Sequence, residues 1–183
     1  MRIIAGENRG LTLSSVGAGD PSAHLRPTSD RVRESLFNVL RNYDLPASDI
    51  SVLDLFAGTG ALALEALSRG AASAVLVDDG RTAQRLIREN IKKTRRTAQA
   101  TLLTRSATAL PEASSAFGLV FMDPPYGMDL GGRALGSALA GGWLTDDAVV
   151  VWEENAPQPT PQGFDLLDQR RYGDTWITIL RRI

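Results

Sequence analysis

Ser51-Val52-Leu53-Asp54-Leu55-Phe56-Ala57-Gly58-Thr59-Gly60-Ala61-Leu62-Ala63 reads as a short apolar strand, a Gly-x-Gly-x-x-Ala turn and the start of a helix. Glycines at such a junction let the chain turn tightly and let a ligand approach the backbone. Asp78 ends the next apolar run, 18 positions beyond Gly60, where an acid can hold a pair of ribose hydroxyls. Together these features indicate a nucleoside-containing cofactor held by Asp54, Phe56, Ala57, Gly58, Thr59, Gly60 and Asp78. A tight turn with no ligand is the alternative reading. Asp54 discriminates between cofactors. A carboxylate just ahead of the turn repels a pyrophosphate, which is drawn to helix N-terminal amides. It suits S-adenosylmethionine, which has no phosphate and carries an ammonium and a sulfonium. A helix-capping carboxylate is the other role open to Asp54.

Working outward from this turn, apolar runs recur at Ala74–Asp78, Thr101–Thr104, Gly118–Met122 and Ala148–Trp152, with helical stretches at Ala61–Arg69 and Thr82–Lys93. Alternation of this kind predicts an α/β fold with a parallel sheet covered on both faces. Leu166–Tyr172 and Thr175–Leu180 are separated only by Gly173-Asp174, too few residues for a parallel crossover, so an antiparallel hairpin is expected there. The total is seven strands. Upstream, Arg2–Ala5 and Leu11–Leu13 flank Glu7-Asn8-Arg9-Gly10, a turn, and residues 14–25 read as a loop. A helix is predicted to start with Thr28 or Ser29 as N-cap and Asp30 in its first turn. Its apolar stripe is Val32, Leu36, Val39 and Leu40, at helical spacing through Asn42, which leaves Arg31 and Arg33 off the buried face. The organisation is thus a small hairpin-and-helix extension over residues 1–45 and a larger unit over 46–183.

The second candidate site is Asp123-Pro124-Pro125-Tyr126, at the end of the fourth parallel strand. Open α/β sheets bind ligands at that carboxyl edge. Two prolines stiffen the backbone and remove two N–H groups. A carboxylate beside a rigid carbonyl makes a pair of acceptors for an NH₂ group, and a neighbouring tyrosine can stack on a flat ring. Methyl transfer to an exocyclic base amine requires that combination, because the amine lone pair is delocalised into the ring. Asp123, Pro124, Pro125 and Tyr126 are therefore the candidate catalytic residues. A stiff turn is the alternative.

Composition narrows the classes further. The 183 residues include no cysteine and one histidine, His24, which excludes thiolate and multi-histidine metal sites; no metal is expected. No apolar run approaches the roughly 20 residues of a membrane span, so no membrane association is expected and a cytoplasmic location is. The formal net charge is −1, yet the stretch from Arg81 to Arg105 carries Arg81, Arg85, Arg88, Lys92, Lys93, Arg95, Arg96 and Arg105 against Glu89 alone. Such a run is either a solvated helix face or a nucleic-acid surface, and the sequence leaves both open.

Arg26-Pro27-Thr28-Ser29-Asp30-Arg31-Val32-Arg33-Glu34-Ser35-Leu36-Phe37-Asn38, Asp54–Gly60, Leu64–Ala71 and Asp123–Tyr126 closely resemble the RsmD type of bacterial 16S rRNA guanine-N2 methyltransferase, and the resemblance spans essentially the whole chain. It implies a class I, Rossmann-like, S-adenosylmethionine-dependent fold and methyl transfer to a guanine N2 of 16S rRNA in an assembled or assembling small ribosomal subunit. It also implies that Arg26, Thr28, Arg31 and Arg33 meet rRNA or steer the target base. Where the family commonly ends strand two with glutamate, this chain has Asp78 followed by Asp79, which can share the ribose contact. Where related enzymes place Asp or Asn against the adenine amine, this chain has Ser106-Ala107. A monomer is the simplest assembly. Three readings compete: an adenine-N6 methyltransferase on DNA or RNA, a non-catalytic rRNA-binding assembly factor, and a nicotinamide oxidoreductase, which Asp54 disfavours.

Overall fold

The structure, a computed structural model, describes residues 1–16 and 29–183. His24, Arg26 and Thr28 lie outside the described residues. The chain order is α1 (Asp30–Leu40), β1 (Ser51–Leu55), α2 (Ala61–Ser68), β2 (Ser73–Val77), α3 (Arg81–Lys93), β3 (Ala100–Leu103), β4 (Phe117–Met122), α4 (Leu130–Ala140), β5 (Leu144–Glu154), β6 (Phe164–Tyr172) and β7 (Thr175–Arg182). The strands form one sheet in the order β3-β2-β1-β4-β5-β7-β6. The five strands from β3 to β5 run parallel, while β7 is antiparallel to both β5 and β6. Because β1 lies between β2 and β4, the chain order reverses beside β1. Ligands of doubly wound sheets bind at that reversal.

Both faces of the sheet are covered. One buries Leu64 and Leu67 of α2, Ile87 and Ile91 of α3, and Leu36, Phe37 and Leu40 of α1 against Val52, Leu119, Phe121 and Val151. The other buries Ala134, Leu135 and Ala138 of α4 with Trp143 and Trp152 against Leu53, Val120, Met122 and Val150. α4 is hard to read from sequence because Gly131, Gly132 and Gly136 lower its intrinsic helix preference. The packing supplies a reason for Gly131: a Cβ there would lie 2.4 Å from the Trp152 ring.

Three expectations need correction. α1 is capped by Ser29, whose hydroxyl accepts from the Val32 N–H at 3.3 Å, but its regular helix stops at Leu40 and the chain tightens into a 3₁₀ turn over Arg41–Tyr43. The buried stripe is also rotated. Arg33 and Phe37 are buried and Val32 is only half-buried, because the N-terminal hairpin packs on that side and its Arg2 carbonyl takes the Arg33 guanidinium, which also pairs with Asp30 one turn earlier on α1. Finally, β5 runs from Leu144 to Glu154, well past the expected Ala148–Trp152. Its polar ends look unlike a strand, yet β7 pairs with it as far as Glu154.

The N-terminal hairpin, joined by the Arg2–Thr12 bridge, is tied down by buried polar groups. Glu65, with no exposure, accepts the Ile4 and Ala5 N–H groups at 2.7 and 3.0 Å and pairs with Arg69 at 2.7 Å. Ser68 Oγ accepts from the Asn8 N–H and donates to the Ala5 carbonyl. Asn90 bridges Ser14 and the Thr59 carbonyl. Gly6, at φ 80°, comes so close to α2 that a Cβ would stand 1.7 Å from the Ser68 carbonyl oxygen. Gly6→Ala should therefore destabilise the fold by about 2–4 kcal/mol, combining a left-handed backbone penalty with overpacking. Urea unfolding will measure it as a lower midpoint with an unchanged slope. Wild-type stability would mean the hairpin can lift from α2 without cost.

Candidate active site

The turn after β1 has the shape its glycines allow. Phe56, Gly58 and Gly60 have φ of 61°, 59° and 77°. At Gly60 a Cβ would come within 2.7 Å of Leu76 Cδ2 on β2, so glycine is required by packing as well as by backbone conformation. The turn is stitched to β2: Ala57 N–H donates to the Val77 carbonyl at 3.1 Å, and Gly58 N–H donates to Asp78 Oδ2 at 2.9 Å. Asp78 also accepts the Gly80 N–H at 2.9 Å, which aligns its half-buried carboxylate along the loop. Asp79 is exposed. Ser106, half-buried beyond β3, shares a 3.1 Å hydrogen bond with Thr108, and Ala107 is buried.

Asp54 lies under this turn, 2% exposed, and accepts the Ala63 N–H at 3.1 Å. The capping role is thus real. Burial pushes its carboxyl up to about 7, with the Ala63 N–H opposing and the charge of Asp78 adding. Burial also raises Asp78, opposed by the Gly58 and Gly80 N–H groups, with Asp79 adding to the rise. Two acids that resist ionisation beside one glycine turn gain by binding a cation, since its charge relieves both the desolvation and their mutual repulsion.

The second loop leaves the sheet beside the first. Asp123 N–H points at the Leu55 carbonyl at 3.5 Å, continuing the β1–β4 ladder. Pro124 is buried, Pro125 exposed and Tyr126 half-buried. Asp123 is held well above the usual carboxylate range, first by burial and then by the nearby charges of Glu153, Asp54 and Glu154. Coulombic coupling to Asp54 means the two candidate sites share one electrostatic environment.

Glu153 and Glu154 are the residues that sequence reading missed. They end β5, next to β4, and are 7% and 9% exposed. Tyr126 Oη donates to Glu153 Oε1 at 3.1 Å, and Gly127 N–H donates to Glu154 Oε1 at 2.9 Å. A signal existed: two acids follow an apolar strand that ends at the same sheet edge as Asp123.

The expected nucleic-acid residues separate. Arg31 is exposed and lines a groove of about 400 Å³ with Arg2 and Arg9 between α1 and the hairpin. Arg33 is not on that surface; it is a buried brace. Within the basic run, Arg96 is likewise removed from the solvated face: it binds Asn8 and Gln99 and pairs with Glu7, clamping the hairpin turn. Arg81, Arg88, Lys92 and Arg95 remain exposed on or beside α3. Trp143 and Trp152 are packing residues, the former stacked on Phe117 at 5.7 Å with its Nε1 donating to the Pro111 carbonyl.

A sheet of this order, with both loops at the carboxyl edges of β1 and β4, defines a class I, Rossmann-like methyltransferase fold. The family model described as conserved hypothetical protein 95 matches residues 1–181. Ribosomal RNA small subunit methyltransferase D of Escherichia coli strain K12 is 33% identical over 185 residues, covering 100% of this chain and 90% of the relative. The Haemophilus influenzae protein of the same name is 33% identical over 179 residues, covering 94% and 89%. Among solved structures, the Escherichia coli protein yhhF superimposes with a TM-score of 0.84 at 34% identity, over 100% of this chain and 97% of that one. The chain belongs to this family, the RsmD family.

Proposed function

We propose that the protein transfers a methyl group from S-adenosylmethionine to the exocyclic N2 amine of a guanine in 16S rRNA, in the assembled or assembling small ribosomal subunit. The observation that carries this reading is Asp123: a half-buried carboxylate at the end of β4, braced by two prolines and coupled electrostatically to Asp54 under the glycine turn. The relatives named for rRNA methylation of the small subunit support the substrate.

Asp54, Asp78 and the turn from Phe56 to Gly60 would hold the cofactor, with Ser106 and Ala107 beside its base; the cationic preference of Asp54 and Asp78 fits it. When bound it supplies an electrophilic methyl group. The chain's own residues prepare the nucleophile. Asp123 and the Pro124 carbonyl hold the amine hydrogens, which favours a pyramidal nitrogen with its lone pair free to attack. Positioning of this kind can supply about 7–11 kcal/mol in favourable cases. The Asp123 carboxylate, raised by burial, then takes the proton that the nitrogen loses as it gains the methyl group. Tyr126 stacks under the base, which must leave its own stack at a cost of a few kcal/mol. Residues 1–45 face the RNA, with Arg26, Thr28 and Arg31 at phosphates, while 46–183 carry the chemistry. The enzyme acts as a cytoplasmic monomer without a metal.

The test is isotopically labelled methyl donor with small subunits from cells lacking this enzyme, then nucleoside identification. Label in N2-methylguanosine is expected. Label in N6-methyladenosine would overturn the base, and donor binding without transfer to naked or assembled RNA would turn the reading toward a non-catalytic rRNA-binding factor.

A further inference from the structure

The role assigned to Tyr126 does not explain why its hydroxyl reaches two other strands. Tyr126 Oη donates its single proton to Glu153 Oε1 at 3.1 Å. It also lies 3.2 Å from Thr175 Oγ1, and with its proton already committed it must accept from the threonine. Glu153 belongs to β5 and Thr175 is the first residue of β7, opposite Tyr172 across the Gly173-Asp174 turn. Tyr172 in turn shares a 2.9 Å hydrogen bond with Ser35 on α1. The terminal turn is thus tied on one side to α1 through Tyr172 and on the other, through Thr175, to the ring beside Asp123.

We infer that Thr175 and Glu153 are positioning residues that fix the plane of the Tyr126 ring, and that the terminal hairpin serves as the strut holding that ring beside the target base. This rests on the reading of Tyr126 as the surface under the guanine. A phenol ring hinged only at its Cβ can turn about two torsions; two hydrogen bonds at its far end fix where the hydroxyl sits, and because the phenol O–H prefers the ring plane, a donated and an accepted bond there also favour one plane of the ring. A fixed plane removes orientational freedom that the base would otherwise have to order on arrival. Two prolines stiffen the backbone on one side of the tyrosine, and Glu154 secures the Gly127 N–H on the other, so the side chain's remaining freedom lies in the ring itself.

Thr175→Val keeps shape and strand preference but removes the donor, and Thr175→Ser keeps the donor. Single-turnover methylation of unmethylated small subunits should be about 3–10-fold slower for Thr175→Val, near wild type for Thr175→Ser, and no slower for Tyr126→Phe with Thr175→Val than for Tyr126→Phe alone. Multiplicative losses in the double variant would overturn the inference, because Thr175 would then act without the hydroxyl. A second readout needs no catalysis. The chain has three tyrosines, so with ¹³C-labelled rings the Tyr126 signal is identified by its loss in Tyr126→Phe. Its ring should flip faster in Thr175→Val and in Glu153→Leu than in wild type, and unchanged flipping would sink the strut. If wild type methylates nothing, the proposed function fails, while the ring measurement still decides the positioning role.

Discussion

Asp123→Ala should slow methyl transfer to small ribosomal subunits by about a hundredfold to a thousandfold, the loss seen when one group aimed at developing transition-state charge is removed. S-adenosylmethionine affinity should stay within a few-fold, because the residues expected to grip it sit around the β1 turn rather than on Asp123. The variant should fold. Its replacement relieves a half-buried, repelled carboxylate and leaves Pro124 and Pro125 to shape the loop. The pH profile sharpens the test. Burial, Glu153, Asp54 and Glu154 all hold the Asp123 carboxyl above its ordinary range. The ionised form that can accept the amine hydrogens is therefore lost as pH falls through that raised value, well above the range of a free aspartate. With S-adenosylmethionine saturating, wild-type kcat/KM for the RNA substrate should show an acid limb there, and the residual rate of Asp123→Ala should lack it. Wild-type rates in the variant, or the same limb in both proteins, would remove Asp123 from the chemistry.

How far the molecule was legible follows from what each signal depends on. The β1 turn was readable because glycine spacing and an acid at the next strand's end are local features, and all five parallel strands announced themselves as apolar runs. Asp123 was readable because two prolines mark the end of a strand whatever surrounds them. Glu153, Glu154 and Thr175 were not, because their roles arise only when β5 lies beside β4 and β7 turns back along β5. Arg33 shows the converse error. A helical wheel puts a charged side chain outside, but the hairpin from residues 1–13 arrives on that face and supplies the Arg2 carbonyl, while Asp30 on α1 itself supplies the countercharge. Arg96 was misleading for the same reason, since its partners Glu7 and Asn8 lie nearly ninety positions away in sequence. Periodicity describes one element at a time; burial of charge is decided between elements.

Asp54→Asn should make the protein more stable and worse at binding its cofactor, and both effects come from one carboxyl. In the folded chain that group is raised to about 7 from an ordinary 3.8, so between those pH values the native state holds a proton that the unfolded chain has released. Stability contributed by the protonated form is complete below the lower value and is lost as pH rises to the higher one. At pH 8 the full cost of burying the charge is present, and an asparagine escapes it while its amide oxygen still accepts from Ala63. Urea unfolding should therefore show Asp54→Asn more stable than wild type by about 1–4 kcal/mol at pH 8, with the gap closing toward pH 4. Calorimetry with S-adenosylmethionine should show affinity falling by about tenfold to a hundredfold, the worth of a charge-assisted hydrogen bond to the donor's ammonium. A stability gap that does not change with pH would mean Asp54 ionises freely in its buried place. Unchanged affinity would leave Asp54 as a helix cap alone, and the preference for a cationic cofactor would then rest on Asp78. The two measurements are independent, and together they separate a residue kept for folding from one kept, at a cost in stability, for binding.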